Sequence, residues 1–148
     1  PYWDDTAVAT VSQLSLSTER ADLARAALDS VAMQIADVFE ALNQAGVVMT
    51  ETLVDGGMAR NTSLVRAIAN ASGASVLVAD AAHASAVGAA ELAGLSVGLW
   101  TINDLNRRQS TYRRIEPEQS ADVRQDKRAK WKIAVQRPRE YGYDRRGK

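Results

Sequence analysis

The sharpest chemical feature of the sequence is Val54-Asp55-Gly56-Gly57-Met58-Ala59-Arg60-Asn61, set where a β-branched run gives way to a helical pattern. Adjacent glycines remove two Cβ atoms from the turn, so a base, a ribose or a phosphate can come close to the backbone. A helix starting just after it presents unpaired N–H groups and the positive end of its dipole to the same space. In open α/β sheets, ligands gather beyond the carboxyl ends of the strands. A nucleotide suits these features, but Asp-Gly-Gly is equally a common tight turn. The segment is not a P-loop, since no Gly-Lys-Ser/Thr follows, and not a dinucleotide fingerprint, since the third glycine is missing.

Other chemistry is scarce. The chain has no cysteine and one histidine, His83, so thiolate zinc sites, disulfides, cysteine nucleophiles and multi-histidine metal sites are all excluded. A Ser-His-Asp triad could run only through His83, which precedes an alanine-rich helix and suits a cap better than a catalyst. Trp3, Trp100 and Trp131 lie near Arg and Lys and could stack on bases. Their positions at the ends of apolar segments, and Trp131 on one helix face with Val135, suit core anchors better.

The elements that must position the junction follow from periodicity. Residues 1–16 have no helical period and read as extended or looped. Ser17 or Thr18 can cap a long amphipathic helix, whose apolar positions Leu28, Val31, Ile35, Val38, Phe39 and Leu42 recur at three- and four-residue steps until Gly46. Val47–Val54 reads as a strand, Asn61–Ala71 as a second helix stopped by Gly73, and Ser75–Val78 as a short strand. Strand, helix, strand, helix implies parallel strands with right-handed crossovers. The third helix, around Ala82–Gly98, is nearly all small residues. Gly88 within it costs about 1 kcal/mol against alanine, which predicts close approach of a neighbouring helix or sheet. A last helix over Ser120–Gln136 should end at Pro138 and leave a loose basic tail over 138–148.

The 148 residues suit one domain with a real core, and 18 basic against 18 acidic residues cancel. They cancel only in sum. Residues 1–106 hold 4 basic and 12 acidic side chains, a charge of −8, and residues 107–148 hold 14 and 6, a charge of +8. Such asymmetry raises a nucleic-acid or membrane-surface partner, against the simpler reading of a basic terminal helix laid across an acidic body. No apolar run approaches the ~20 residues of a membrane span, and no signal-like segment is visible, which makes a cytoplasmic protein the default. A first residue of proline rather than methionine suggests a fragment or processed product.

Residues 1 to about 135 resemble the C-terminal domain of the FGGY carbohydrate kinases, in particular the glycerol kinase branch. Pro1-Tyr2-Trp3-Asp4 is similar to the segment that enters this domain. Asp22-Leu23-Ala24-Arg25-Ala26-Ala27-Leu28-Asp29 is similar to the second half of the C-terminal signature. Leu53–Asn61 resembles the adenosine motif, Ala86–Trp100 the helix that closes the adenine side, and Trp131-Lys132-Ile133-Ala134-Val135 the terminal helix.

That resemblance implies an α/β fold, part of an actin-like ATPase (ribonuclease H-like) domain, with residues 1–137 as a partial nucleotide-binding domain. It implies transfer of the γ-phosphoryl of ATP, with Mg2+, to a hydroxyl of a small polyol, and a homo-oligomeric kinase with neither membrane nor nucleic-acid partners. Gly57 and Asn61 match positions that contact adenosine. Gly56 would complete the turn, Met58 and Ala59 would flank the base, and Asp55 would form the turn with an indirect link to Mg2+. The family's first phosphate loop, substrate pocket and base aspartate lie in its N-terminal domain, and its second phosphate loop lies ahead of the point matching Pro1. The chain alone is therefore expected to be inactive. The family's three-stranded meander would also be missing, exposing a sheet edge.

Val8 and Ala9 replace an Arg-Gly pair, Gln13 stands where the signature has glycine, Ala84-Ser85-Ala86 replaces a Thr-Ala-Leu stretch, and Arg128 replaces a common tyrosine. Glycerol is the first expectation for the substrate, with erythritol, another short polyol or a sugar as alternatives. A structural or interaction fragment with a basic C-terminal helix is the rival reading.

Overall fold

The computed structural model describes residues 7–79, 84–107 and 111–144, and side chains among these as far as residue 136. In chain order the elements are α1 (Arg20–Gln44), β1 (Glu51–Val54), a 3-10 turn (Gly57–Arg60), α2 (Thr62–Ser72), β2 (Ser75–Ala79), α3 (Ala84–Ser96), α4 (Ile102–Asn106), β3 (Tyr112–Ile115) and α5 (Ala121–Asp144). The strands form one sheet in the order β1-β2-β3. β1 and β2 are parallel, with Glu51 opposite Ser75 and Val54 opposite Val78, and α2 makes the crossover that the spacing predicts. β3 is antiparallel to β2, Tyr112 opposite Ala79 and Ile115 opposite Val76, so the sheet is mixed rather than all parallel. Tyr112-Arg113-Arg114-Ile115 has no apolar alternation, and main-chain pairing with β2 makes it a strand. β1 is an outer strand, with Leu53 exposed.

Several boundaries shift for local reasons. Thr18 is engaged in a turn, its Oγ1 accepting from the Ser15 N–H at 2.9 Å, so Glu19 takes the N-cap of α1. The Asp22 carboxylate accepts from the Glu19 N–H at 2.9 Å. Only the second half of Val47–Val54 is strand, because β2 begins at Ser75, just after Gly73 caps α2 at φ +76°, and its first N–H, that of Ser75, reaches back no further than the Thr50 carbonyl at 3.0 Å. α5 continues past Pro138 to Asp144. A proline there removes one N–H from the ladder, and the helix carries on, so it does not end where the sequence suggests. Pro1-Tyr2-Trp3-Asp4 and His83 lie outside the described residues, as do residues 145–148.

The core joins Ala32 and Ala36 of α1, Leu64, Val65, Ala67, Ile68, Ala69 and Ala71 of α2, and Val76 and Val78 of β2. Alanines on both helices let α1 and α2 lie close along their length. α5 is fixed across α1 by charge. Arg128 Nη1 donates to Asp37 Oδ1 at 2.5 Å and to the Met33 carbonyl at 3.2 Å, and its Nη2 donates to Glu40. Trp131 Nε1 donates to Asp37 Oδ2 at 2.8 Å, and Lys132 Nζ to Glu40 Oε1 at 2.7 Å. Elsewhere Arg114 pairs with Glu51 and Glu116, and Arg66 with Glu118 at 3.3 Å. The α5 contacts are the basic terminal helix laid on an acidic body.

Gln13 has φ +62°, the left-handed region, and is the one non-glycine there among the described residues. The cost for a side chain with no short polar group is about 1–2 kcal/mol. Gln13→Gly is therefore expected to raise stability by about 0.5–1 kcal/mol after the entropy of an added glycine is deducted, read as a rise in the urea midpoint.

α3 packs differently from expectation. Nothing described lies within 4 Å of where a Cβ on Gly88 would sit. The close approach falls at Gly94, where an added Cβ would enter the indole of Trp100, whose Nε1 donates to the Glu91 carbonyl at 2.9 Å. Trp100 and Trp131 are half-buried and each is held by an indole hydrogen bond, but neither joins the core as the sequence suggests. No described helix is long and apolar enough to cross a membrane.

Candidate functional site

The carboxyl ends of β1 and β2 lie at one end of the sheet, as their parallel register requires. From Val54 the chain passes through exposed Asp55 to Gly56, at φ +98° and ψ 176°, a conformation open almost only to glycine. The 3-10 turn follows, closed by Ala59 N–H to the Gly56 carbonyl at 3.1 Å and Asn61 N–H to the Met58 carbonyl at 3.0 Å. Asn61 is the N-cap of α2. Its Oδ1 accepts from the N–H groups of Ser63 at 3.0 Å and Leu64 at 3.2 Å, so two of the helix's unpaired donors are satisfied by one side chain.

The glycines differ in what they need. Gly56 requires glycine for its backbone angle. Gly57 does not, and a Cβ at either position would meet nothing within 4 Å. The space above the turn is open. Met58 is exposed beside it, whereas Ala59 is buried in the core, so of the two residues expected to flank a base only Met58 faces outward. The Asn61 amide nitrogen makes no hydrogen bond among the described residues, which leaves a donor at the mouth of the turn.

Sequence reasoning passes over Arg113. β3 brings it to this end of the sheet, opposite Val78, and its Nη1 donates to Thr62 Oγ1 at 3.3 Å, next to the Asn61 cap. The only sequence signal is a pair of arginines between Tyr112 and Ile115, residues that favour strands. Among the described residues no group of three or more His, Asp or Glu is placed to hold a metal ion. The arrangement can receive a flat, hydrogen-bonding ligand against bare backbone at a helix N-terminus.

A model of the FGGY family of carbohydrate kinases, C-terminal domain, matches residues 1–97. The glycerol kinase of Bordetella parapertussis is 37% identical over 138 residues, which are 92% of this chain and 27% of that protein. Among solved structures, the glycerol kinase of Plasmodium falciparum with ADP superposes with a TM-score of 0.78 at 26% identity, over 93% of this chain and 28% of that one. The xylulose kinase of Rhodospirillum rubrum shares the fold, with a TM-score of 0.73 at 23% identity over 90% of this chain and 28% of that one. The chain spans between a quarter and a third of the length of these relatives.

Proposed function

The chain belongs to the FGGY family of carbohydrate kinases, and we propose that it is the adenosine-binding portion of an ATP-dependent kinase acting on a hydroxyl of a small polyol, with glycerol as substrate. The observation that carries this reading is the Gly56–Asn61 junction: an open approach over two glycines, closed below by the Asn61 cap. Gly56 and Gly57 admit the ribose to the backbone, Met58 covers one side of the base, and the Asn61 amide donates to it. The open face of α3 at Gly88 supports a second wall for the adenine.

Asp55 is an exposed carboxylate that belongs to no group of three or more possible metal ligands among the described residues, so they do not form a Mg2+ site by themselves. Mg2+ belongs with the phosphates of bound ATP. Phosphoryl transfer works by positioning the nucleophile and neutralising the moving phosphate charge. The junction supplies the anchoring of the nucleotide, and the base and phosphate loops lie in the part of the family that this chain does not span. The chain alone is inactive on this reading, and the complete kinase is a cytoplasmic homo-oligomer.

Asn61→Asp tests the reading cleanly. Aspartate caps α2 as well as asparagine but has no amide donor, so stability should move by less than about 0.5 kcal/mol. ADP affinity of the chain, measured by calorimetry, should fall about tenfold or more with loss of a buried hydrogen bond. Unchanged ADP affinity in this variant would remove Asn61 from the site and the reading with it.

A further inference from the structure

Away from the junction, α1, α2, α5 and the segment leading into α1 line an open pocket of about 460 Å3, within the size range of small-molecule sites. No residue of Gly56–Asn61 lines it. Its wall carries four cationic side chains, Arg25, Arg124, Lys127 and Lys130, against one carboxylate, Asp29. In a chain of zero net charge this is a local concentration of positive potential, and a concave wall of low dielectric strengthens it.

In-chain partners leave part of that charge unbalanced. Arg25 is engaged by Asp29 at 2.8 Å and Lys130 by Asp126 at 2.7 Å. Arg124 gives one hydrogen bond, at 3.3 Å, to the neutral Gln119 carbonyl. Lys127 is half-buried and has neither an ion pair nor a hydrogen bond among the described residues. A second observation falls at the same place. Gln13, the strained residue at φ +62°, lines this cavity. Non-glycine residues held in such conformations concentrate at ligand clamps.

We propose that this cavity binds a small anion carrying two or more negative charges, with Lys127 and Arg124 as its charge partners. Trp131, Ala67 and Ala71 give it an apolar wall. A pocket of this volume between three helices fits a compact anion.

The test is a calorimetric titration of the 148-residue chain with inorganic pyrophosphate at constant ionic strength. Saturable one-site binding is expected. Lys127→Gln should weaken it about tenfold or more, the effect of losing one charged hydrogen bond. Arg107→Gln, an exposed cation outside the cavity, should leave it unchanged. If Lys127→Gln does not fold, Lys127→Arg, which keeps the charge, should retain binding within about threefold.

The proposal fails if no saturation is reached below about 1 mM, where only about 4 kcal/mol of binding would remain. It fails if Arg107→Gln weakens binding as much as Lys127→Gln, which marks diffuse attraction. It fails too if Asn61→Asp abolishes pyrophosphate binding, because the anion then sits at the nucleotide turn; that outcome leaves the proposed kinase role standing. Pyrophosphate binding that survives alongside absent ADP binding would overturn the kinase reading alone.

Discussion

Asp37→Ala should destabilise the fold by about 1–3 kcal/mol, the cost of leaving a buried donor without its acceptor. Asp37 is 5% exposed, and its two oxygens accept from Arg128 and from the Trp131 indole. Removing it leaves the Trp131 indole N–H without an acceptor and Arg128 with only the Met33 carbonyl and Glu40 at the α1–α5 contact. Small domains have about 5–15 kcal/mol in total, so urea unfolding should show a much lower midpoint. The paired replacement Asp37→Leu with Arg128→Met should recover most of the loss, since an apolar pair avoids the desolvation of two charges. A single variant near wild-type stability would show that α5 is held by packing and not by this pair.

The same contact gives a pH dependence. Hydrogen bonds from Lys132 and then Arg128 hold the Glu40 carboxyl below its ordinary value of 4.5. A carboxylate with a depressed folded pKa adds stability that is fully present above the unfolded value and lost as pH falls through the folded one. Glu116 is lowered likewise, by Ser75 and then Arg114. Stability should therefore fall below about pH 4.5, and Glu40→Gln should flatten the part of that slope due to α5.

Gly57→Leu separates ligand binding from folding. Gly57 has neither a positive φ nor a neighbour within 4 Å of an added Cβ, so stability should change by less than about 0.5 kcal/mol. In the proposed complex the same space holds the adenosine. Forcing a side chain into a filled contact costs about 1–3 kcal/mol, so ADP affinity should drop roughly 10- to 100-fold. Retained affinity would place the nucleotide elsewhere.

Much of the framework was legible in the sequence. The spacing of Leu64, Val65 and Ile68 between Asn61 and Gly73 gave α2 almost to the residue, since the cap and the left-handed stop are both local chemistry. β3 was not legible, because nothing in Tyr112–Ile115 signals burial and its partners at Val76–Ala79 are 33 to 39 residues away. Sequence reasoning passes over Asp37, an acid among Ile35, Ala36, Val38 and Phe39, because its partner Arg128 is 91 residues further on. The junction shows the same divide. Two glycines before a helix cap could be read from residue types, whereas the inward turn of Ala59 and the approach of Arg113 depend on tertiary packing.

The most direct test of the central claim is an ADP titration of the 148-residue chain, followed through its backbone amide NMR signals. Binding at the junction predicts saturable shifts at Gly56, Gly57, Met58 and Asn61, with smaller ones along α3 and none at Lys127 or Gln119. Shifts confined to the cavity lined by Lys127, or none at all while the fold is intact, would contradict it.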